Sequence, residues 1–166
     1  CRQVSFAEYD VWMGNYEVWG KYLVANVMSQ FSPLVKQAIL IDLESLEHYL
    51  LVETTEGPSG EIVSWVEVNG SSVLYIYTID WFDNSLMLFS MEDGSTIKIE
   101  SATGGYSVNG YTQMYCNYIS YEHVYDEYEN QLVLIDLNTG DQQIIPTISG
   151  WGLDPKIASG RIAYQD

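Results

Sequence analysis

From Asn130 to Ile145 the chain reads NQLVLIDLNTGDQQII: an apolar run, a four-residue turn and a second short apolar run. On an extended strand Leu132 and Leu134 take one face, and Val133, Ile135 and Leu137 take the other. A hairpin wetted on one side alternates apolar with polar positions. This one does not alternate, so the pattern predicts a strand pair covered on both faces.

The pattern recurs along the chain. Moved back by 46 positions, the hairpin lies on NSLMLFSMEDGSTIKI, with Asn130 on Asn84, Leu132 on Leu86, Leu134 on Leu88, Leu137 on Met91 and Gly140 on Gly94. The match runs upstream without a gap, SYEHVYDEYEN (120–130) over LYIYTIDWFDN (74–84). A third copy lies 48 residues further back, where LIDLES (40–45) overlies LFSMED (88–93). At the other end PKIASGRIAYQD (155–166) overlies TQMYCNYISYEH (112–123), and EVWGKYLVA (17–25) is a counterpart near the start.

Each unit reads as four short strands, a to d. In the third unit these are about 112–116, 118–125, 131–137 and 142–147; in the second they are about 62–68, 72–80, 85–91 and 95–100. Asn69-Gly70 is expected at the centre of a type I′ turn between a and b, because both central residues of that turn need positive φ. MEDGS and LNTGD are expected to join c to d, with glycine at the left-handed position. A period in the forties with four strands per unit is the mark of an all-β fold, a β-propeller of four-stranded antiparallel blades. Stacking between neighbours would cover each blade on both faces, which accounts for the missing alternation. A competing pattern exists: SPLVKQAILIDLESLEHYLL (32–51) also fits an amphipathic helix with Ser32 as its cap and Pro33 in its first turn. The repeat register instead makes 37–43 strand c and 47–53 strand d.

The expected organisation is a partial blade at 1–12, blades at about 13–55, 56–104 and 105–150, and a partial blade at 151–166. Strand order runs d, three full units, then a and b. That is an internal piece of a larger ring cut inside a blade, a four-bladed ring closed by its own first strand with c missing, or one completed by another chain or by oligomerisation. At 166 residues one domain is expected.

Composition narrows the partners. Aromatic content is 14%, with 14 Tyr and 5 Trp, which favours strands. Asp and Glu number 23 against 6 Lys and Arg, a formal charge of −17. That field argues against nucleic acid and anionic membranes and favours cations or basic partners. No apolar run approaches the ~20 residues of a membrane-spanning helix. Cys1 and Cys116 are the only cysteines, which excludes a disulfide scaffold and leaves room for one bridge. The chain shows neither an initiator Met nor a signal peptide, which points to a processed or excised sequence. Cys1 would suit a bacterial lipid anchor, but VSFAEYD follows it at once as a strand instead of a polar linker.

DPKIASGRIAYQD, with the polar loop and LVLIDLNTGDQQI that follow its earlier copies, resembles the repeat of TolB-like and related WD-type β-propellers. The resemblance covers most of residues 13–166. Where that family has SPDG in the a–b turn, this chain has ASG and VNG. The resemblance implies a secreted, periplasmic or cell-surface protein, and a platform that binds protein or carbohydrate. It also implies, as alternatives, an accessory domain of a larger peptidase or polysaccharide-degrading enzyme, or a structural subunit of a surface assembly.

Catalytic signatures are missing from the sequence. GYSVNG (105–110) is one residue too long for a nucleophile elbow and precedes a strand, and His48 and His123 are the only histidines. Two Cys and two His at scattered positions do not supply a zinc site. For calcium, Asp136, Asn138 and Asp141 resemble half an oxygen-ligand loop, but the same string is what a c–d hairpin requires. No cofactor is expected. Asn69 heads an NGS glycosylation sequon inside a tight hairpin.

Two b–c loops remain, DWFDN (80–84) and YDEYEN (125–130), at matching positions. In this topology the a–b and c–d turns share one rim, and the longer b–c and d–a loops share the other, where binding usually sits. Trp81, Asp83, Tyr125, Asp126 and Glu129 are the expected ligand-binding residues, suited to a sugar, a cation or a basic peptide.

Overall fold

A computed structural model describes residues 11–29, 35–55, 62–78, 83–102, 107–108, 112–124, 130–145, 155–158 and 161–164. These residues form strands and tight turns with no helix among them, in four antiparallel sheets. The first sheet runs β1 (Val11–Trp19), β2 (Tyr22–Ser29), β3 (Val35–Asp42), β4 (His48–Thr55). The second runs β5 (Ile62–Asn69), β6 (Ser72–Thr78), β7 (Asn84–Ser90), β8 (Thr96–Ala102). In the third, β9 (Ser107–Val108) and β10 (Gln113–Tyr115) both pair with β11 (Tyr118–Val124), followed by β12 (Asn130–Asp136) and β13 (Gln142–Ile145). A two-stranded sheet, β14 (Lys156–Ala158) with β15 (Arg161–Ala163), completes the set.

The absence of alternation has the expected cause. Within β6, Val73 and Tyr75 join a core shared with Val24 and Leu40 of the first sheet, while Leu74 and Ile76 join one shared with Ile119 and Val133 of the third. The middle sheet is therefore buried on both faces. In β12 the same holds: Leu132, Val133 and Ile135 are all buried. At roughly 25 cal/mol per Å² of apolar surface removed from water, this stacking is the main stabilising term between the sheets. The 35–55 region is a hairpin and not a helix, because Ile39 and Ile41 enter one core and Leu40 the opposite one.

The tight-turn end repeats closely. The amides of Leu43, Met91 and Leu137 donate to the carbonyls of Lys21, Ser71 and Asn117 at 2.7, 2.8 and 2.7 Å, tying each c–d turn to the a–b turn beside it. Gly94 and Gly140 hold φ of 71° and 76°, and in the first sheet Leu46 holds 64° at the same place. The Asp136 carboxylate accepts the Asn138 amide at 2.9 Å, so the DLNTGD string is used as a turn.

Three details differ from the sequence reading. The a–b turn of the second sheet is centred on Gly70-Ser71, not Asn69-Gly70, and φ is positive at Gly70 but not Ser71. That is the type II′ pattern. Asn69 stays in the strand because its side chain is committed elsewhere. Among the described residues, strand a of the third sheet comprises β9, paired with His123 and Val124 of β11, and β10, paired with Tyr118, Ile119 and Ser120. The fourth strands of the first two sheets each carry a bulge, at Leu51 and Ile99, and both bulged residues pack onto a core.

Candidate functional site

The first strand of each sheet touches the first strand of the next: β1 with β5, β5 with β10, β10 with β14. At the second residue before the last of each strand, or its register equivalent, stand Glu17, Glu67, Gln113 and Lys156, opposite Val24, Leu74, Ser120 and Ala163. In a two-residue hairpin, the residue just inside the closing pair turns its N–H away from its partner strand. Val68 and Met114 hold that place in their sheets. The Glu17 carboxylate accepts the Val68 amide at 2.9 Å, and Glu67 accepts the Met114 amide one sheet further on. Asn69 adds a second tie, donating from Nδ2 to the Met114 carbonyl at 3.3 Å and accepting the Cys116 amide at 3.2 Å. With both ends of its carboxamide engaged and only 7% exposed, Asn69 does not present its sequon as a glycan acceptor. The adjacent Cys116 is a free, exposed thiol.

Glu67 is 6% exposed, and its Oε2 has no hydrogen-bond partner among the described residues. Burial pushes its carboxyl up to about 8, against the Met114 amide; the Glu17 charge adds to the rise and the Lys156 charge opposes it. Glu67 is thus protonated at neutral pH. Burial also raises Glu17, against the pull of the Val68 amide.

The opposite ends of the second and third sheets hold another polar group. Tyr121 Oη donates to Glu100 Oε2 at 3.2 Å across the junction. His123 lies two residues on and faces Gln131 across the β11–β12 pair. Burial lowers the His123 imidazole below its ordinary range, opposed by the Glu100 charge. Gln131 Oε1 is buried with no hydrogen-bond partner among the described residues. An imidazole, a phenol, a carboxamide and one carboxylate are gathered here, with the Tyr121–Glu100 bond crossing the junction and Glu100 the charge among them.

Of the expected ligand-binding residues, Asp83 is half-buried just before β7, on this same long-loop end. Trp81, Tyr125, Asp126 and Glu129 lie outside the described residues. Sequence reasoning missed Glu17, Glu67, Glu100 and Gln131 because each sits inside a strand. The available signal was positional: Glu17 and Glu67 are two residues before Trp19 and Asn69, the residues that flank successive turns. Among the described residues no group of three or more His, Cys, Asp or Glu is arranged to hold a metal. No helix there is long and apolar enough to cross a membrane.

A small cavity of about 130 Å³ opens at the tight-turn end between the first two sheets, lined by Tyr22, Leu40, Asp42, Tyr49, Phe89 and Met91. Its carboxylate is already taken: Lys21 Nζ lies 2.7 Å from Asp42 Oδ2, and Oδ1 accepts the Glu44 and Ser45 amides. The Lys21 bond and these amides hold the Asp42 carboxyl below the usual range.

No protein-family description matches the chain, and no curated protein matches it by sequence. Solved structures do. The uncharacterized protein lmo1340 from Listeria monocytogenes EGD-e superposes with a TM-score of 0.53 at 17% identity, over 83% of this chain and 41% of that one. The AtxE2 isopeptidase in its apo form superposes with a TM-score of 0.54 at 12% identity, over 85% of this chain and 22% of that one. The chain thus spans about two fifths of the first protein's length and about a fifth of the second's. At these identities the likeness concerns the fold alone.

Proposed function

We propose that the chain is a run of β-propeller blades, TolB-like in character, that acts as a non-catalytic binding module in a secreted, periplasmic or cell-surface protein. The ligand, a protein or a carbohydrate, docks on the rim formed by the b–c and d–a loops. One observation carries this reading: two four-stranded sheets and one of five strands stack through shared apolar cores, with near-identical tight turns at one end and a hydrogen-bonding group at the other. A rigid scaffold with one uniform end leaves the opposite end to carry specificity. Calorimetric titration with hexalysine and with a neutral oligosaccharide tests it. Saturable binding of either, weakened by Asp83→Asn or Glu100→Gln and unchanged by Glu44→Gln at the other end, supports the module. Turnover of a glycan that disappears in Asp83→Asn would overturn it.

A second reading, the accessory propeller of a larger peptidase, is favoured by the fold likeness to the isopeptidase. Sequencing the reading frame on both sides of this segment tests it: a hydrolase domain with its nucleophile elbow supports the accessory role, and a frame without one rejects it.

A further inference from the structure

The repeat is broken at one place on the tight-turn end. Where the first and second sheets meet, the cavity of about 130 Å³ is lined by Tyr22, Leu40, Asp42 and Tyr49 from the first sheet and by Phe89 and Met91 from the second. Register gives the equivalents at the next junction. Tyr22 pairs with Asp42 and Leu40 with Tyr49; one sheet on, Ser72 pairs with Ser90 and Leu88 with Ile97. Phe89 and Met91 correspond in the same way to Ile135 and Leu137. Three aromatic rings and a carboxylate thus stand at one junction where the other has serines and aliphatics. Stacking does not require them, since the second junction packs without them.

The cavity lies in a negative field. Lys21 Nζ is 2.7 Å from Asp42 Oδ2 and 3.8 Å from Glu44 Oε2, and Glu47 accepts the Tyr49 hydroxyl at 3.0 Å, so three carboxylates stand there against one ammonium. The Glu47 bond, with the Glu47 and Asp42 charges, pushes the Tyr49 hydroxyl up. Lys21 Nζ also lies 5.1 Å from the centroid of the Tyr22 ring, so one ring of the lining already attracts a cation. Hydrogen bonding is nearly used up. Asp42 accepts Lys21 and the Glu44 and Ser45 amides, three of a carboxylate's roughly four places, and Tyr49 Oη donates to Glu47. A primary ammonium, a guanidinium or a sugar hydroxyl would leave water for walls with few partners to offer. A quaternary ammonium has no N–H to satisfy. Aromatic rings, a polarizable thioether and unbalanced negative charge are enough for it. The volume is well below the roughly 300–1,000 Å³ of a site that engulfs a drug-sized ligand, and suits a single head group.

We propose that this cavity binds the quaternary ammonium head of a small molecule of the choline type. Tyr22, Tyr49 and Phe89 supply the rings, Met91 a thioether contact, and Asp42 a counter-charge that needs no direct hydrogen bond. The site lies at the tight-turn end, away from the rim proposed above for a macromolecule. It rests only on the packing of the first sheet against the second.

The probe is choline chloride, titrated into the full chain and followed by proton NMR. Saturable one-to-one binding is expected. It should be at least tenfold weaker for neohexyl alcohol, the uncharged carbon isostere of choline, and for ethanolamine, whose ammonium is primary. Tyr49→Leu, at a position 47% exposed, and Asp42→Asn are each expected to weaken choline binding, while Tyr49→Phe keeps the ring and should retain it. Far-UV circular dichroism of each variant separates loss of the site from failure to fold. A folded native chain that does not bind choline at millimolar concentration overturns the proposal and leaves the rim reading standing. Equal binding of choline and its isostere also overturns it, since the cavity is then merely apolar. So does binding that is unchanged in Tyr49→Leu, which would place the ligand elsewhere. Sedimentation of the chain with phosphatidylcholine vesicles, without binding of free choline, assigns the head group to a lipid and overturns the small-molecule ligand.

Discussion

Glu67→Gln tests the tie between inner strands most directly. Its carboxyl is raised from 4.5 to about 8, chiefly by burial. The unfolded chain ionises this group near its ordinary value, while the folded chain keeps its proton until about pH 8. Across that window the folded state binds more protons, so stability falls as pH rises. At about 1.4 kcal/mol per pH unit, the full loss between low pH and pH above 8 is on the order of 5 kcal/mol. A domain of this size is held by only about 5–15 kcal/mol, so the effect is large enough to bring the unfolding midpoint down visibly. Glutamine keeps an oxygen to accept the Met114 amide and has no proton to lose. Urea unfolding of both proteins at a series of pH values from 5 to 9 is the assay. The difference between Glu67→Gln and the native chain should be smallest at pH 5, grow with pH, and level off above pH 8, with the variant the more stable at the alkaline end. Parallel pH profiles would refute the reasoning, since they would mean that Glu67 titrates alike in both states.

Other predictions follow from the same geometry. Leu46→Gly should stabilise the protein by about 1 kcal/mol and raise Tm by about 2–4 °C on thermal melting, because a left-handed non-glycine residue is strained and Leu46 is exposed. Asn69→Ala strands a buried carbonyl and a backbone amide of the next sheet, and should cost about 1–3 kcal/mol in urea unfolding; a neutral result would remove its bridging role. The imidazole of His123, followed by proton NMR, should titrate below its ordinary value of 6.5. With that folded value depressed, its contribution is present above about pH 6.5 and is lost as pH falls through the folded midpoint. A midpoint above 6.5 would contradict its burial. Tyr121→Phe removes the donor to Glu100 and should cost about 1 kcal/mol.

The sequence alone determined the elements and their order. Strands such as β6 and β12 were legible because apolar runs and turn residues are local signals, repeated at 46 to 48 positions. Gly94 and Gly140 marked their turns for the same reason: left-handed backbone selects glycine wherever it occurs. Leu46 shows that limit, since the identical turn forms there without one. Tertiary structure decided what joins one sheet to the next. Glu17 meets Val68, and Asn69 meets Met114, across 51 and 45 positions of chain, and no local pattern records such a meeting. Asn69 looked like half of a turn, and it became a bridge because the edge of the neighbouring sheet offered a carbonyl and an amide that needed partners. Glu67 carried no local signal of its role, and stacking turned it into a buried acid whose proton is held more tightly than usual. Periodicity is written in side-chain order along one strand, whereas protonation and edge satisfaction depend on which strand lies alongside.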